Sequence, residues 1–125
     1  MTGSKEETAA AEIEVIVFRV GGQTYGADAH QVSYISPASS EAFALPGLGV
    51  VSAGGRALHF RGAGGERAQL RVDRVEGVRT IPATNLRQMP PAAGAPPYAI
   101  GVWLEDDRAV LLIDLPKAFI FHLKN

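Results

Sequence analysis

The run Leu70-Arg71-Val72-Asp73-Arg74-Val75-Glu76-Gly77-Val78-Arg79-Thr80-Ile81-Pro82 decides how this chain is read. Its apolar residues alternate at Leu70 and Val72, slip by one position to Val75, and resume after Gly77 in a short run ending at Pro82. Alternation of period two sets one face of a strand on a core and the other in water. Arg71, Asp73 and Arg74 then belong to the wet face. No nucleophile, metal ligand or phosphate loop stands here, so the run speaks for architecture and not for chemistry.

Working outward, Ile13 to Val20 is apolar on both faces and rich in β-branched residues, which predicts a strand buried on two sides. Gly21-Gly22 supplies a turn, and Gln23–Ala27 returns as a second strand to complete a hairpin. Asp28 is placed to cap a short helical turn that sets Val32 and Ile35 on one side. The segment Pro37–Gly55 holds two prolines and four glycines, yet Phe43, Leu45, Leu48, Val50 and Val51 make it too apolar for a solvated linker. It reads as a loop packed over the core. Arg56–Arg61 is a short strand, Gly62–Gly65 a turn and Glu66–Val75 the partner strand, leading into Val78–Ile81. After a connection over Leu86–Pro97, which contains Pro90-Pro91 and Pro96-Pro97, Tyr98–Leu104 and Arg108–Asp114 form a third hairpin around Glu105-Asp106-Asp107. Leu115–Lys124 has apolar residues at 115, 118, 119 and 123, a helical spacing, with Pro116 in the first turn. Three hairpins and a closing helix predict a mostly β protein built as a small barrel.

The 125 residues are 46% apolar and 20% charged, the balance of an ordinary globular protein. A net charge of −1 offers no attraction to nucleic acid or an anionic membrane. The absence of cysteine excludes disulfides and thiolate metal sites and points to a reducing, cytoplasmic setting. Met1–Glu12 is polar and acidic and reads as a disordered tail, leaving residues 13–125 as one domain. No apolar run approaches the ~20 residues of a membrane span.

The chemistry-bearing residues are scattered. His30, His59 and His122 fit no zinc spacing, and structural histidines are the better account of each. No serine stands in a G-x-S-x-G elbow. Gly47-Leu48-Gly49 has only the start of a dinucleotide fingerprint, with Ser52 where the third glycine belongs. Gly62-Ala63-Gly64-Gly65 lacks the Lys-Ser/Thr ending of a phosphate loop and reads as a hairpin turn. Three adjacent carboxylates at 105–107 cannot all converge on one cation, and solvated hairpin tips have this composition. No catalytic residue, cofactor or metal is expected; what remains is a binding or structural protein. Tyr98 and Trp103, five apart on one strand, fall on opposite faces; burial of both around the barrel end is the plainer reading of each, and one packing inward with the other available for contact is the functional one.

Three segments in order resemble the CheW-like domain of bacterial chemosensory coupling proteins. Phe18-Arg19-Val20-Gly21-Gly22-Gln23-Thr24-Tyr25-Gly26 followed by Val32 resembles that family's opening hairpin. Val72-Asp73-Arg74-Val75-Glu76-Gly77-Val78 with Ile81-Pro82 resembles its central V-D-x-V motif. Tyr98-Ala99-Ile100-Gly101-Val102-Trp103-Leu104, then Arg108–Leu115, resembles its last hairpin. The resemblance implies two packed SH3-like barrels and an adaptor without catalytic residues that links chemoreceptors to a CheA-type histidine kinase. One place departs from the pattern. The family has a G-v-x-n-l-R-G hairpin and further strands where this chain offers only Pro37–Gly55, with no Arg-Gly pair, and Tyr34 stands in place of a common glutamate.

The expectation is therefore a truncated first barrel and a nearly complete second one, assembled from Arg56–Leu115 with the N-terminal strand. Such a chain would engage the cytoplasmic domain of a chemoreceptor or another CheW-like protein, with lost or weakened direct kinase coupling. Val32, Tyr34, Leu45, Leu48 and Trp103 are the candidate partner-contact residues, apolar groups near the place where covering strands are missing. The uncovered surface predicts some homo-oligomerisation. An SH3-like interaction subunit of an unrelated assembly, recognising its partner through Pro37–Gly55, is the competing reading. A small hydrolase with dispersed catalytic residues is a distant third.

Overall fold

The computed structural model describes residues 11–45, 48, 54–88 and 96–124. Most of the expected tail, Gly47 and Gly49, Val50 and Val51, and the Pro90-Pro91 pair lie outside the described residues. Among the described residues, eight strands and one α-helix follow in order: β1 (Glu12–Val20), β2 (Gln23–Asp28), β3 (Val32–Pro37), β4 (Arg56–Arg61), β5 (Arg67–Val72), β6 (Arg74–Pro82), β7 (Ala99–Glu105), β8 (Arg108–Ile113) and α1 (Leu115–Leu123). They form a five-stranded sheet in the order β6-β1-β2-β8-β7 and a three-stranded sheet in the order β3-β4-β5.

The two-sided apolar pattern of β1 has a direct consequence. Ile16, Phe18 and Val20 join the core between the two sheets, while Val15 and Val17 point the other way into a second core within the five-stranded sheet. All five are at most 4% exposed. Each such side chain contributes roughly 1.5–3 kcal/mol of transfer free energy. β1 turns into β2 at Gly21 and Gly22, whose φ values of 59° and 86° cost an L-residue more than glycine.

Asp28 does cap a turn: its carboxylate accepts from the His30 amide at 2.9 Å. That turn is a single 3-10 unit, Ala29–Gln31, and Val32 begins a strand instead of continuing a helix. Val, Tyr and Ile favour the extended state, and β4 supplies a partner for it. The expected grouping survives by another route. A bulge at Ser33 sets Val32 opposite Phe60 and Ile35 opposite Leu58, so both stay on the inner side.

The strand expected over Glu66–Val75 is two strands. β5 ends at Val72, the chain bends at Asp73, and β6 starts at Arg74 in the other sheet. The one-step slip in the V-D-x-V pattern marks this crossing. Val72 is fully buried against the inter-sheet core, and Asp73 pins the bend to the first hairpin. Its amide donates to the Arg19 carbonyl at 2.8 Å and its Oδ2 accepts from the Gly21 amide at 2.9 Å.

The crossing also corrects the expected assembly. β4 and β5 do not join a barrel with β6–β8; they pair with β3 in the smaller sheet. The larger sheet is built from β1 and β2, β6, and the C-terminal hairpin, with β8 running parallel to β2. It curls back on itself without closing: beyond β6, Arg87 exchanges two 2.9 Å hydrogen bonds with Val102 on β7. The division into one fuller and one reduced sheet stands.

The C-terminal hairpin turns through Asp106 and Asp107 at φ 51° and 69°, a conformation that aspartate tolerates better than most residues. α1 is capped by Asp114, whose Oδ1 accepts from the Lys117 amide at 3.1 Å, with Pro116 in the first turn as expected. Leu115 and Ala118 seal the inter-sheet core. In the shortened segment, Phe43 bridges to Leu70: its amide donates to the Gln69 carbonyl and its carbonyl accepts from the Arg71 amide, both at 2.8 Å. One residue of loop thus takes the place of a strand on the open side of β5.

Candidate interaction surfaces

The cross-strand registers align Val75, Phe18, Tyr25, Leu111 and Val102 in one apolar row across all five strands. Its middle is buried beneath the smaller sheet and α1. Towards β7 the cover ends. Ile100 is 40% and Leu104 72% exposed, and with the half-buried Val102 they form an apolar strip at two-residue spacing along an edge strand. Beside it lies a concavity of about 370 Å³ lined by Thr84, Asn85, Arg87, Val102, Trp103 and Leu104. A strip of this kind, continuous with a buried core and flanked by a polar rim, suits docking of another protein.

Of the five contact residues expected from sequence, the structure leaves two in reach of a partner. Tyr34 is 60% exposed and stacks on His59 with ring centroids 3.9 Å apart. Val32 is half-buried at the rim of the inter-sheet core. Leu45, Leu48 and Trp103 are core residues, 1%, 3% and 3% exposed, and this corrects their assignment. The loop itself fills the space left by the missing strands: Leu45 and Leu48 pack inward, and the Tyr25 hydroxyl donates to the Leu48 carbonyl at 2.9 Å. Trp103 lies on the inner face of β7, its ring against Gly26, where a Cβ would come within 2.7 Å of it. Tyr98 and Trp103 do occupy opposite faces, as expected, but each meets a core. Ile100 and Leu104 were missed.

At one end of the larger sheet, charges tie its strands together. Glu76 accepts from Arg108 at 2.6 Å, with Arg19 at 3.7 Å and Arg74 at 3.9 Å, while Glu105 binds Arg79 and Arg108 at 3.0 Å each. The hydrogen bond from Arg108 holds the Glu76 carboxyl below the usual carboxylate range, against the opposing effect of its burial. A folded-state pKa below the unfolded one gives stabilisation that is complete above the unfolded value, about 4.3, and is lost as pH falls through the lower folded value. Glu76→Gln should therefore flatten the acid limb of the stability profile. Urea midpoints from about pH 3 to pH 6 check it; parallel profiles for the two proteins would contradict it.

The histidines are dispersed, as expected. His30 lies by Glu14 and Asp28, His59 shares a 2.8 Å hydrogen bond with Ser36, and His122 stacks on Phe43. Among the described residues no group of three histidines or carboxylates could hold a metal ion. No described helix is long and apolar enough to cross a membrane.

No family model matches the chain. Among solved structures, the scaffolding protein TtCheW from Thermoanaerobacter tengcongensis shares the fold with a TM-score of 0.72. The match covers 87% of this chain and 93% of that one at 19% identity. The frizzy aggregation protein FrzB of Myxococcus xanthus is 50% identical over 103 residues, 82% of this chain and 91% of FrzB. The chain belongs to the CheW-like family. It is a CheW-like scaffold of chemosensory signalling, and Leu104 in the strip along β7 is its most exposed large apolar residue among the described residues. In this CheW-like chain the V-D-x-V motif is the point where the backbone passes from the reduced sheet to the fuller one.

Proposed function

We propose that this chain is a non-enzymatic cytoplasmic adaptor that binds a chemoreceptor's cytoplasmic domain or another CheW-like protein, with direct coupling to a CheA-type kinase weakened or absent. The observation that carries the proposal is the asymmetry of the two sheets: five strands in one, three and a single-residue bridge in the other. A two-barrel coupling protein reduced on one side loses contact area there and keeps it on the other. The exposed strip at Ile100, Val102 and Leu104 lies on the side that is kept. A standard-size interface buries about 800 Å² per partner, so a sheet missing strands forfeits a sizeable share of any contact it made.

Co-purification against a receptor tail and a kinase regulatory domain, each offered alone, tests the proposal. Retention of the receptor tail with little kinase domain is expected; equal retention of both would refute partial loss. Nothing in the fold favours an SH3-like subunit of an unrelated assembly.

A further inference from the structure

We propose that β3 is a self-association edge, pairing antiparallel with β3 of a second copy of this chain. Among the described residues, β3 pairs with β4 on one side and with nothing on the other. Sheet edges in soluble proteins are guarded by charges, prolines, bulges or a covering segment. The other three edges of this protein are guarded. β6 carries Arg74, Glu76 and Arg79, β7 is bridged by Arg87, and β5 is capped by Phe43 and carries Arg67 and Arg71. β3 carries no charge and no covering segment among the described residues; its guards are Pro37 at its far end and the bulge at Ser33, which leave Tyr34–Ser36 open.

Charge decides the occupant. Residues 29–40 contain no Asp, Glu, Lys or Arg in a chain that is 20% charged. An acidic or basic partner strand finds nothing there to match, whereas a second β3 brings no like charge to the seam. A two-fold axis normal to the sheet requires one residue to face its own copy, and centring it on Tyr34, beyond the bulge, sets Ser33 against Ile35 of the second copy. Tyr34, 60% exposed and held by its stack on His59, then meets its counterpart across the seam. Ile35, 39% exposed, is covered at the same time. The six-residue strand makes a small interface, so the dimer forms at high local concentration, as within an array.

Sedimentation of the full chain over a concentration series tests this with wild type, Tyr34→Lys and Ser33→Lys. Ser33 is exposed and bulged, so its variant keeps the test open if Tyr34→Lys fails to fold. The expected result is a wild-type dimer that grows with concentration, and variants needing about tenfold more protein to dimerise, with unchanged melting curves. A wild type that stays monomeric overturns the proposal. So do lysine variants that dimerise like wild type, or that lose only the binding of a receptor tail, which would assign the edge to another protein.

Discussion

Trp103→Ala should destabilise the chain by about 3–5 kcal/mol, the range for removing a large aromatic from a core. The indole is 3% exposed and joins Val15, Val17, Ile81, Val110 and Leu112 in the core of the five-stranded sheet. That core is small, with only the partly buried Ile13 and Leu86 packed against it among the described residues, so the space is refilled incompletely. The neighbours of Trp103 in that core are all apolar, so it contributes through packing. Trp103→Phe should therefore cost clearly less than Trp103→Ala. Against a total stability of about 5–15 kcal/mol, that loss is a large fraction. Gly26→Ala attacks the same contact from the opposite strand, since its methyl group would meet Trp103 Cη2 at 2.7 Å. Urea denaturation of the three variants checks the order; an alanine variant within 1 kcal/mol of wild type, on the scale of an ordinary surface change, would remove Trp103 from the core.

Leu104→Glu should leave the fold intact and abolish most partner binding. At 72% exposure Leu104 contributes little to the core, and surface changes of this kind usually fall within about 0.5 kcal/mol. In a docked complex the same position is desolvated, and an unpaired carboxylate there costs several kcal/mol. Loss of at least tenfold in affinity for the receptor tail, about 1.4 kcal/mol, is the expected result with an unchanged melting curve. Ile100→Glu should act in the same direction more weakly, because Ile100 is 40% exposed and already partly covered. Undiminished binding by Leu104→Glu would move the site away from β7.

The two variants sit on adjacent residues with opposite consequences, and this shows where sequence reading reaches its limit. Alternation along Tyr98–Leu104 says that neighbours face opposite ways, but not which of them faces in. Treating Trp103 as a contact residue inverts the strand, since it is Leu104 that faces out. The signal that points the other way is Gly26 in β2, small enough to admit the indole, but it becomes evidence only once β2 and β7 are known to flank β8. The same limit explains the sheet assignments. Hairpins are local, and all three were legible from turn residues and strand lengths. That β5 and β6 part company at Asp73 depends on pairing with β4 on one side and β1 on the other, which no local pattern records. The two-sided strand β1 was readable because β-branched residues at consecutive positions permit little else. Leu45 and Leu48 depart from expectation for a plain reason: missing strands imply a gap, whereas the loop folds into it.

The charge network divides in the same way. Nothing in the strand alternation singles out Glu76, Arg79 and Arg108 as partners, and only the curl of the sheet brings them together. Their role is to hold β6 against the C-terminal hairpin where no ladder of hydrogen bonds does so.

The most direct test of the account is a pair of titrations of the purified chain, one with a chemoreceptor tail and one with a kinase regulatory domain. The account predicts saturable binding to the receptor tail that Leu104→Glu removes, and at least about tenfold weaker binding to the kinase domain. Equal affinities for the two, both indifferent to Leu104→Glu, would contradict it.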